Sequence, residues 1–277
     1  MGLAELFATT TIDEPLVDFI GRHGRIVRTF GVRQDSRTEI HGIEIDGKRL
    51  VVKAAYDPGS VGWLASARRF HATVRHPAIP TILHTIDIGD GGLALVEEWG
   101  DGEILHDPYD DTVLDRSNPA SPYQRFLALP TTEVARAIQQ ILDAHVAVVD
   151  AGFVAVDLYD GCVLYDFATS TLRLIDLDNY CPGPYVLEVD RQFGSSWYMP
   201  PEEFTRGATI DERASVFTIG RMALSYLGCA RKGPALRGDF RGSSEQYAIA
   251  TQACAPDPAD RIQLVREFTS AWSATLH

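Results

Sequence analysis

The chain has 277 residues, 45% of them hydrophobic, and a formal net charge of −13. Such a composition supports a packed core. No Lys/Arg run or basic stripe is present, which argues against nucleic acid as a partner. No stretch approaches the roughly 20 apolar residues of a membrane helix. The cysteines Cys162, Cys181, Cys229 and Cys254 are scattered without a CxxC pair, so neither a zinc site nor a disulfide framework is expected. Met1–Thr11 lacks the basic-then-apolar layout of a secretory leader. These features lead us to expect a cytoplasmic protein that engages neither nucleic acid nor membrane.

Arg25–Thr29 and Thr38–Ile45 alternate apolar and polar residues, as half-buried strands do. Asp46-Gly47 supplies a hairpin turn, because glycine accepts the positive φ such turns demand. Arg49–Ala55 is a mostly apolar strand with one lysine, Lys53, inside it. Trp63–Arg75 reads as a helix that stops at His76-Pro77, since a residue before proline avoids the helical region. Ile82–Ile88 and Leu93–Trp99 are further strands around the turn Gly89–Gly92. Residues 107–130 are rich in turn formers and read as a connection. Thr132 then offers a cap for a helix over Glu133–Asp150, with Val134, Ile138, Ile141, Leu142, His145 and Val149 on one stripe. Gly161–Tyr165 and Leu172–Leu177 are short strands, and Ala214–Leu227, Glu245–Ala253 and Leu264–Thr275 are helical. Strands first and helices after predict an α+β chain in two parts, residues 1–99 and 100–277.

Two acidic stretches carry the chemistry: Val-Ala-Val-Asp157-Leu-Tyr-Asp160-Gly-Cys-Val-Leu164 and Leu-Arg-Leu-Ile-Asp176-Leu-Asp178. Alone they read equally as acidic surface loops. Read functionally, one carboxylate orients a hydroxyl nucleophile and the other holds Mg²⁺ on nucleotide phosphates. Lys53 lies among apolar neighbours, where an ammonium is costly unless an anion meets it.

The order of motifs resembles the protein kinase superfamily. Val51-Val-Lys53 looks like its lysine strand, and Leu95-Val-Glu-Glu98-Trp99-Gly100-Asp-Gly102 like its hinge. Asp157-Leu158 matches a catalytic loop and Asp176-Leu177 a metal-binding aspartate. Gly194-Ser-Ser-Trp-Tyr198-Met-Pro-Pro201-Glu202 resembles the end of an activation segment. Ser215–Gly220 resembles the buried helix after it, and Arg261 the late arginine that pairs with Glu202. More narrowly, the chain is similar to a bacterial serine/threonine-kinase-like group with an Asp-x-Tyr-Asp-Gly loop. The resemblance implies a bilobal fold, β-rich first and mainly helical after. It also implies ATP and Mg²⁺ as cofactors. Asp157 is then the catalytic group and Asp176 the metal ligand. Gly31, Val51, Lys53, Glu98, Trp99, Gly100 and Leu164 line the nucleotide site, with Val51 and Leu164 sandwiching the adenine.

The chain departs from that pattern in several places. The phosphate-covering segment Gly31–Thr38 has a single glycine, and Arg33, Ser36 or Arg37 is the alternative phosphate contact. The helix that should carry a lysine-pairing glutamate has no acidic residue; the matching position is near Ala67. Lys53 therefore needs another partner, Asp176 or the phosphates. Ala155-Val156 replace His-Arg, so Ser195 and Ser196 are not expected to form a phosphoryl switch. Cys162 stands where an asparagine would bind Mg²⁺, and a thiol suits a hard cation poorly. Asp160 or Asp178 is left to supply that oxygen. Ser215 replaces an aspartate that tethers the catalytic loop from below.

Three functions fit these features. The first is an ATP-dependent phosphotransferase acting on a hydroxyl, either Ser/Thr of a protein or a small molecule. The second is an inactive kinase-like module that binds nucleotide or protein. The third is a small-molecule kinase of the aminoglycoside-phosphotransferase type, against which Tyr198–Glu202 and Arg261 argue.

Overall fold

The computed structural model describes residues 2–30, 37–107, 114–229 and 236–276. They form two compact units. The first takes the chain up to Arg75 and then Pro80–Gly100; the second takes His76–Ile79, Asp101–His106 and the chain from Leu114 onward. The brief crossing at His76–Ile79 has a backbone cause: the Leu174 N–H donates to the Ala78 carbonyl at 2.7 Å.

The first unit is built on a six-stranded sheet. Its strands are β1 (Thr11–Ile12), β2 (Arg25–Phe30), β3 (Glu39–Ile45), β4 (Lys48–Ala55), β5 (Ile82–Ile88) and β6 (Gly92–Glu98), in the order β1-β5-β6-β4-β3-β2. All neighbours are antiparallel except β1, which runs parallel to β5. Side chains alternate across a strand, so each strand feeds two cores. Val52, Ala54, Ala94 and Val96 pack on one face with helices α1 (Leu3–Ala8) and α2 (Leu16–His23). Ala55, Leu93 and Leu95 pack on the other with Leu64 and Ala67 of helix α3 (Pro58–Thr73).

Strands β2 to β6 follow the expected boundaries within a residue; β1 was not expected, and in the second unit the strand expected over Leu172–Leu177 ends at Leu174, short of Asp176. Helix α3 begins earlier than Trp63: Asp57 caps it by accepting from the Gly59 and Ser60 N–H groups, and Pro58 sits in the first turn. Helices α1 and α2 were not anticipated. Segments that short are marginal by themselves and gain their stability by burying Leu6, Leu16, Phe19 and Ile20 on the sheet.

The second unit is mainly helical, with a small sheet of β7 (Glu103–Ile104), β9 (Val163–Asp166) and β10 (Thr171–Leu174), and a short β8 (Phe153–Val154). Its helices are α4 (Pro122–Leu127), α5 (Thr131–Asp150), α6 (Glu212–Leu224), α7 (Ser244–Ala253) and α8 (Val265–Ser273). Helix α5 buries Val134, Ile138, Ile141, Leu142 and His145 as expected, with Val148 rather than Val149 completing the stripe. It starts at Thr131 behind Pro130 and has no side-chain cap, so Thr132 does not play that role. The Trp272 indole of α8 donates to the Ala135 carbonyl at 2.9 Å and locks the two helices together. The chain is thus α+β, with a mixed sheet first and helices later. Among the described residues no helix is long and apolar enough to cross a membrane.

Candidate functional site

In the first unit, register explains the surroundings of Lys53. It pairs with Leu95 on β6, while Val51 pairs with Glu97. Lys53 and Glu97 therefore lie diagonally on one face of neighbouring strands. Both are buried, and Lys53 Nζ is 3.5 Å from Glu97 Oε1. The helix position expected to hold a carboxylate, Ala67, packs fully buried against that face. The lysine's anion comes instead from the next strand. Glu98 points to the other face, where its Oε2 accepts from the Thr81 N–H at 3.0 Å. The pair of adjacent glutamates is thereby resolved: Glu97 faces inward with Lys53.

Val51 shares the Lys53 face and is half-buried. Trp99 follows β6, and its ring lies on Gly42. A Cβ built on Gly42 would come within 2.7 Å of that ring, so β3 needs glycine there. The Arg49 guanidinium lies over the Trp99 ring, 5.0 Å from its centroid. Gly100 is half-buried. Gly31 lies outside the described residues, as do Arg33 and Ser36.

In the second unit the two predicted aspartates share an unusual backbone. Asp157 has φ 61° and Asp176 φ 58°. Of the other described non-glycine residues in this region, Asp46, Asp90 and Ser170 sit at hairpin tips, where a turn dictates the conformation, and Arg37 lies just before β3. Asp157 and Asp176 do not sit at hairpin tips. Such a conformation costs on the order of 1–3 kcal/mol and persists only where the surroundings enforce it, most often at functional sites.

The surroundings of Asp157 show how it is held. Gly194, at φ 134°, packs so closely that an added Cβ would lie 3.2 Å from Asp157 Oδ1. The close approach lets the Ser195 N–H donate to the carboxylate, and the Asn179 amide donates to it as well. Burial and then the charge of Asp176 nevertheless push Asp157 up to about 6, against those two donors and Arg191. A carboxyl near pH 6 can take a proton from a hydroxyl at neutral pH and hand it on. Asp176 itself is exposed, as a cation ligand can be.

Cys162 is buried and its thiol donates to the Asp157 main-chain carbonyl at 3.3 Å. Burial, then the charges of Asp176 and Asp157, push this thiol well above its ordinary value. It is a neutral prop of the loop and not a ligand. Asp160 is also withdrawn from metal binding: it is buried and faces the Arg116 guanidinium at 3.2 Å. Of the two carboxylates expected to replace an asparagine oxygen, Asp160 is eliminated. Leu164 is buried in β9 opposite Arg173 and Ile104.

Two supports complete the second unit. Ser215 on α6, fully buried, accepts from the Ala155 N–H at 3.0 Å and so fixes the start of the Asp157 loop. Arg261 forms a two-pronged ion pair with Glu202, at 2.6 and 2.8 Å, and also donates to the carbonyls of Ala255, Arg213 and Pro256. The sequence pairing of these two residues is realised in full.

Sequence reading missed Asn179 and Arg116, and left open which of the adjacent Glu97 and Glu98 faces inward. Only Glu97 had a signal: Leu93, Leu95 and Glu97 share one parity along β6, the parity that faces Lys53. No protein-family model matches the chain, and no curated protein matches it.

Proposed function

We propose that the chain is an ATP-dependent phosphotransferase with a protein-kinase-like bilobal fold. The reading is carried by one observation: Asp157 and Asp176, picked out by motif order, are the two strained aspartates away from hairpin tips, and their charges sense each other. Asp157 orients the acceptor hydroxyl and takes its proton. Ser195, Asn179 and Gly194 hold its carboxylate for that task. Asp176, an exposed oxygen donor, suits Mg²⁺, which would neutralise charge on the phosphates; Asp178 is the remaining candidate for a second oxygen. Lys53, 3.5 Å from Glu97, is assigned to nucleotide phosphates, as a point charge suits them. The motif resemblance assigns Val51 and Leu164 to the adenine, and the main chain of Glu98, Trp99 and Gly100 to its edge. The acceptor is a hydroxyl of a protein Ser/Thr or of a small molecule.

A second reading, a nucleotide- or protein-binding module without catalysis, is favoured by Cys162, which leaves the loop without its usual oxygen donor. Two measurements separate them. ATP with Mg²⁺ at 100 times its Kd adds roughly 2.7 kcal/mol to the unfolding free energy. Asp157→Asn keeps that gain and loses γ-phosphate transfer. No stabilisation by any nucleotide overturns the phosphotransferase. Stabilisation with equal phosphate loss in both proteins removes Asp157 from the chemistry.

A further inference from the structure

The Asp157 loop is gripped at its far end by an arrangement that the phosphotransfer chemistry does not require. Asp160, in the same loop, is 1% exposed. A buried carboxylate is expensive without a counter-charge. Arg116 supplies one, with Nη1 3.2 Å from Asp160 Oδ2. Arg116 comes from a turn with its own internal bonding. Asp115 Oδ1 accepts from the Ser117 N–H and hydroxyl, and the Arg116 carbonyl accepts from the Gln124 amide at 2.7 Å. The guanidinium also lies over the Tyr123 ring, 4.3 Å from its centroid, at the start of α4. Tyr123 and Tyr226 meet edge to face, and Tyr198 is buried beside them. Among the described residues, Asp160 Oδ2 and the hydroxyls of Tyr123, Tyr198 and Tyr226 are buried without a well-formed hydrogen bond. The Arg116–Asp160 ion pair is the charged centre of this cluster, in which Tyr198 also engages Asp160 and Arg116 also engages Tyr123 and Tyr198. About a third of Arg116 remains in contact with solvent.

We infer that Arg116 is a positioning residue for Asp157. Its ion pair with Asp160 clasps the loop carrying Asp157 to the turn before α4. The inference rests on the phosphotransferase reading for its catalytic consequence, but not for the clasp itself. Strain at Asp157 must be held by contacts on both sides. Gly194 and Ser195 meet its side chain, Cys162 its carbonyl and Ser215 the residues before it. Arg116 holds the residues after it. Releasing one end lets the backbone relax away from φ 61°. A displacement of that size costs transfer roughly ten- to a hundredfold, without altering nucleotide affinity.

The test uses the full chain with Arg116→Gln, Arg116→Lys and Asp160→Asn. The first readout is amide hydrogen exchange over Leu158–Cys162; the second is γ-phosphate transfer with ATP and Mg²⁺, resolved into kcat and KM. Arg116→Gln should speed exchange in that segment and lower kcat roughly ten- to a hundredfold at unchanged KM for ATP. Arg116→Lys should restore part of both, since it returns the charge without the planar fork. Should Arg116→Gln fail to fold, Asp160→Asn serves. It removes the buried charge while its partner keeps access to solvent, and it should show the same exchange and kcat changes. Exchange over Leu158–Cys162 unchanged from the parent in Arg116→Gln and Asp160→Asn overturns the clasp. Faster exchange with unchanged kcat overturns the positioning role. If the parent protein transfers no phosphate, the phosphotransferase reading falls, and the exchange readout alone still decides the clasp.

Discussion

Glu202 and Glu203 are adjacent in the chain, yet their carboxyls differ in kind. Glu202 meets Arg261, whereas Glu203 is 3% exposed and is pushed up to about 8 by burial, then by the charges of Glu202 and Asp157. In the folded state Glu203 therefore holds its proton well above the ordinary 4.5 of the unfolded chain. Between those values the folded protein binds more protons than the unfolded one. The contribution is fully present below pH 4.5 and is lost as pH rises toward 8. Glu203→Gln, which is neutral at every pH, should leave stability near parental at pH 4.5 and raise it by on the order of 5 kcal/mol above pH 8. Denaturant midpoints at the two pH values measure this, and an equal effect at both would show that charge is not the cause. Nothing in the sequence separates the two glutamates except their order, because what differs is the shell each one meets.

At the scale of elements, the loop around Asp157 is shaped by helices distant in sequence. Helix α6 offers Ser215 to the Ala155 N–H, where the motif comparison leads one to expect an aspartate. A shorter hydroxyl suffices because α6 is buried and close. Ser215→Ala leaves that backbone donor without its acceptor in a dry place, at about 1–3 kcal/mol. Equilibrium urea unfolding reads the loss, and an unchanged midpoint would mean that the bond contributes nothing. Strand boundaries were legible in advance, since alternation and the Asp46-Gly47 turn are local signals. The start of α3 was misplaced at Trp63, because the apolar pattern was followed and the local cap Asp57-Pro-Gly-Ser60 was not. Helices α1 and α2 were not legible, because a short helix owes its existence to the surface it covers.

Across the whole molecule, two buried groups set opposite slopes on stability against pH. His145 of α5 is fully buried; it meets the Ile141 carbonyl through Nδ1 at 2.7 Å and the Tyr180 hydroxyl through Nε2 at 2.8 Å. Burial pushes it down to about 4, so it is neutral at pH 7: Nδ1–H donates to Ile141 and Nε2 accepts from Tyr180. The unfolded chain binds the extra proton below 6.5, so this contribution is present above 6.5 and is lost as pH falls toward 4. The full loss is on the order of 3 kcal/mol. Glu203 acts in the opposite sense, so the two partly cancel between pH 4.5 and 6.5. Relative to the parent, the unfolding free energy in that interval should rise more steeply with pH in Glu203→Gln and fall more steeply with pH in His145→Asn. Parallel curves for all three proteins would remove both assignments.

The sequence by itself determined β2 to β6 and the helices α3, α5, α6, α7 and α8 in their order, though not α1, β1, α2 or α4, together with the Glu202–Arg261 pair and the two aspartates worth attention. These rest on local periodicity and on motif order, which one chain displays without its fold. Only the tertiary structure decided which carboxylate meets Lys53, that the Cys162 thiol donates to the Asp157 carbonyl, and that Asp160 faces Arg116. Those outcomes depend on strand register, on burial and on contacts between residues far apart in the chain. Asp157 shows both sides of the division. Its place in the loop is written in the sequence, while its strained backbone and raised proton affinity come from Gly194, Ser195, Asn179 and Asp176 gathered around it.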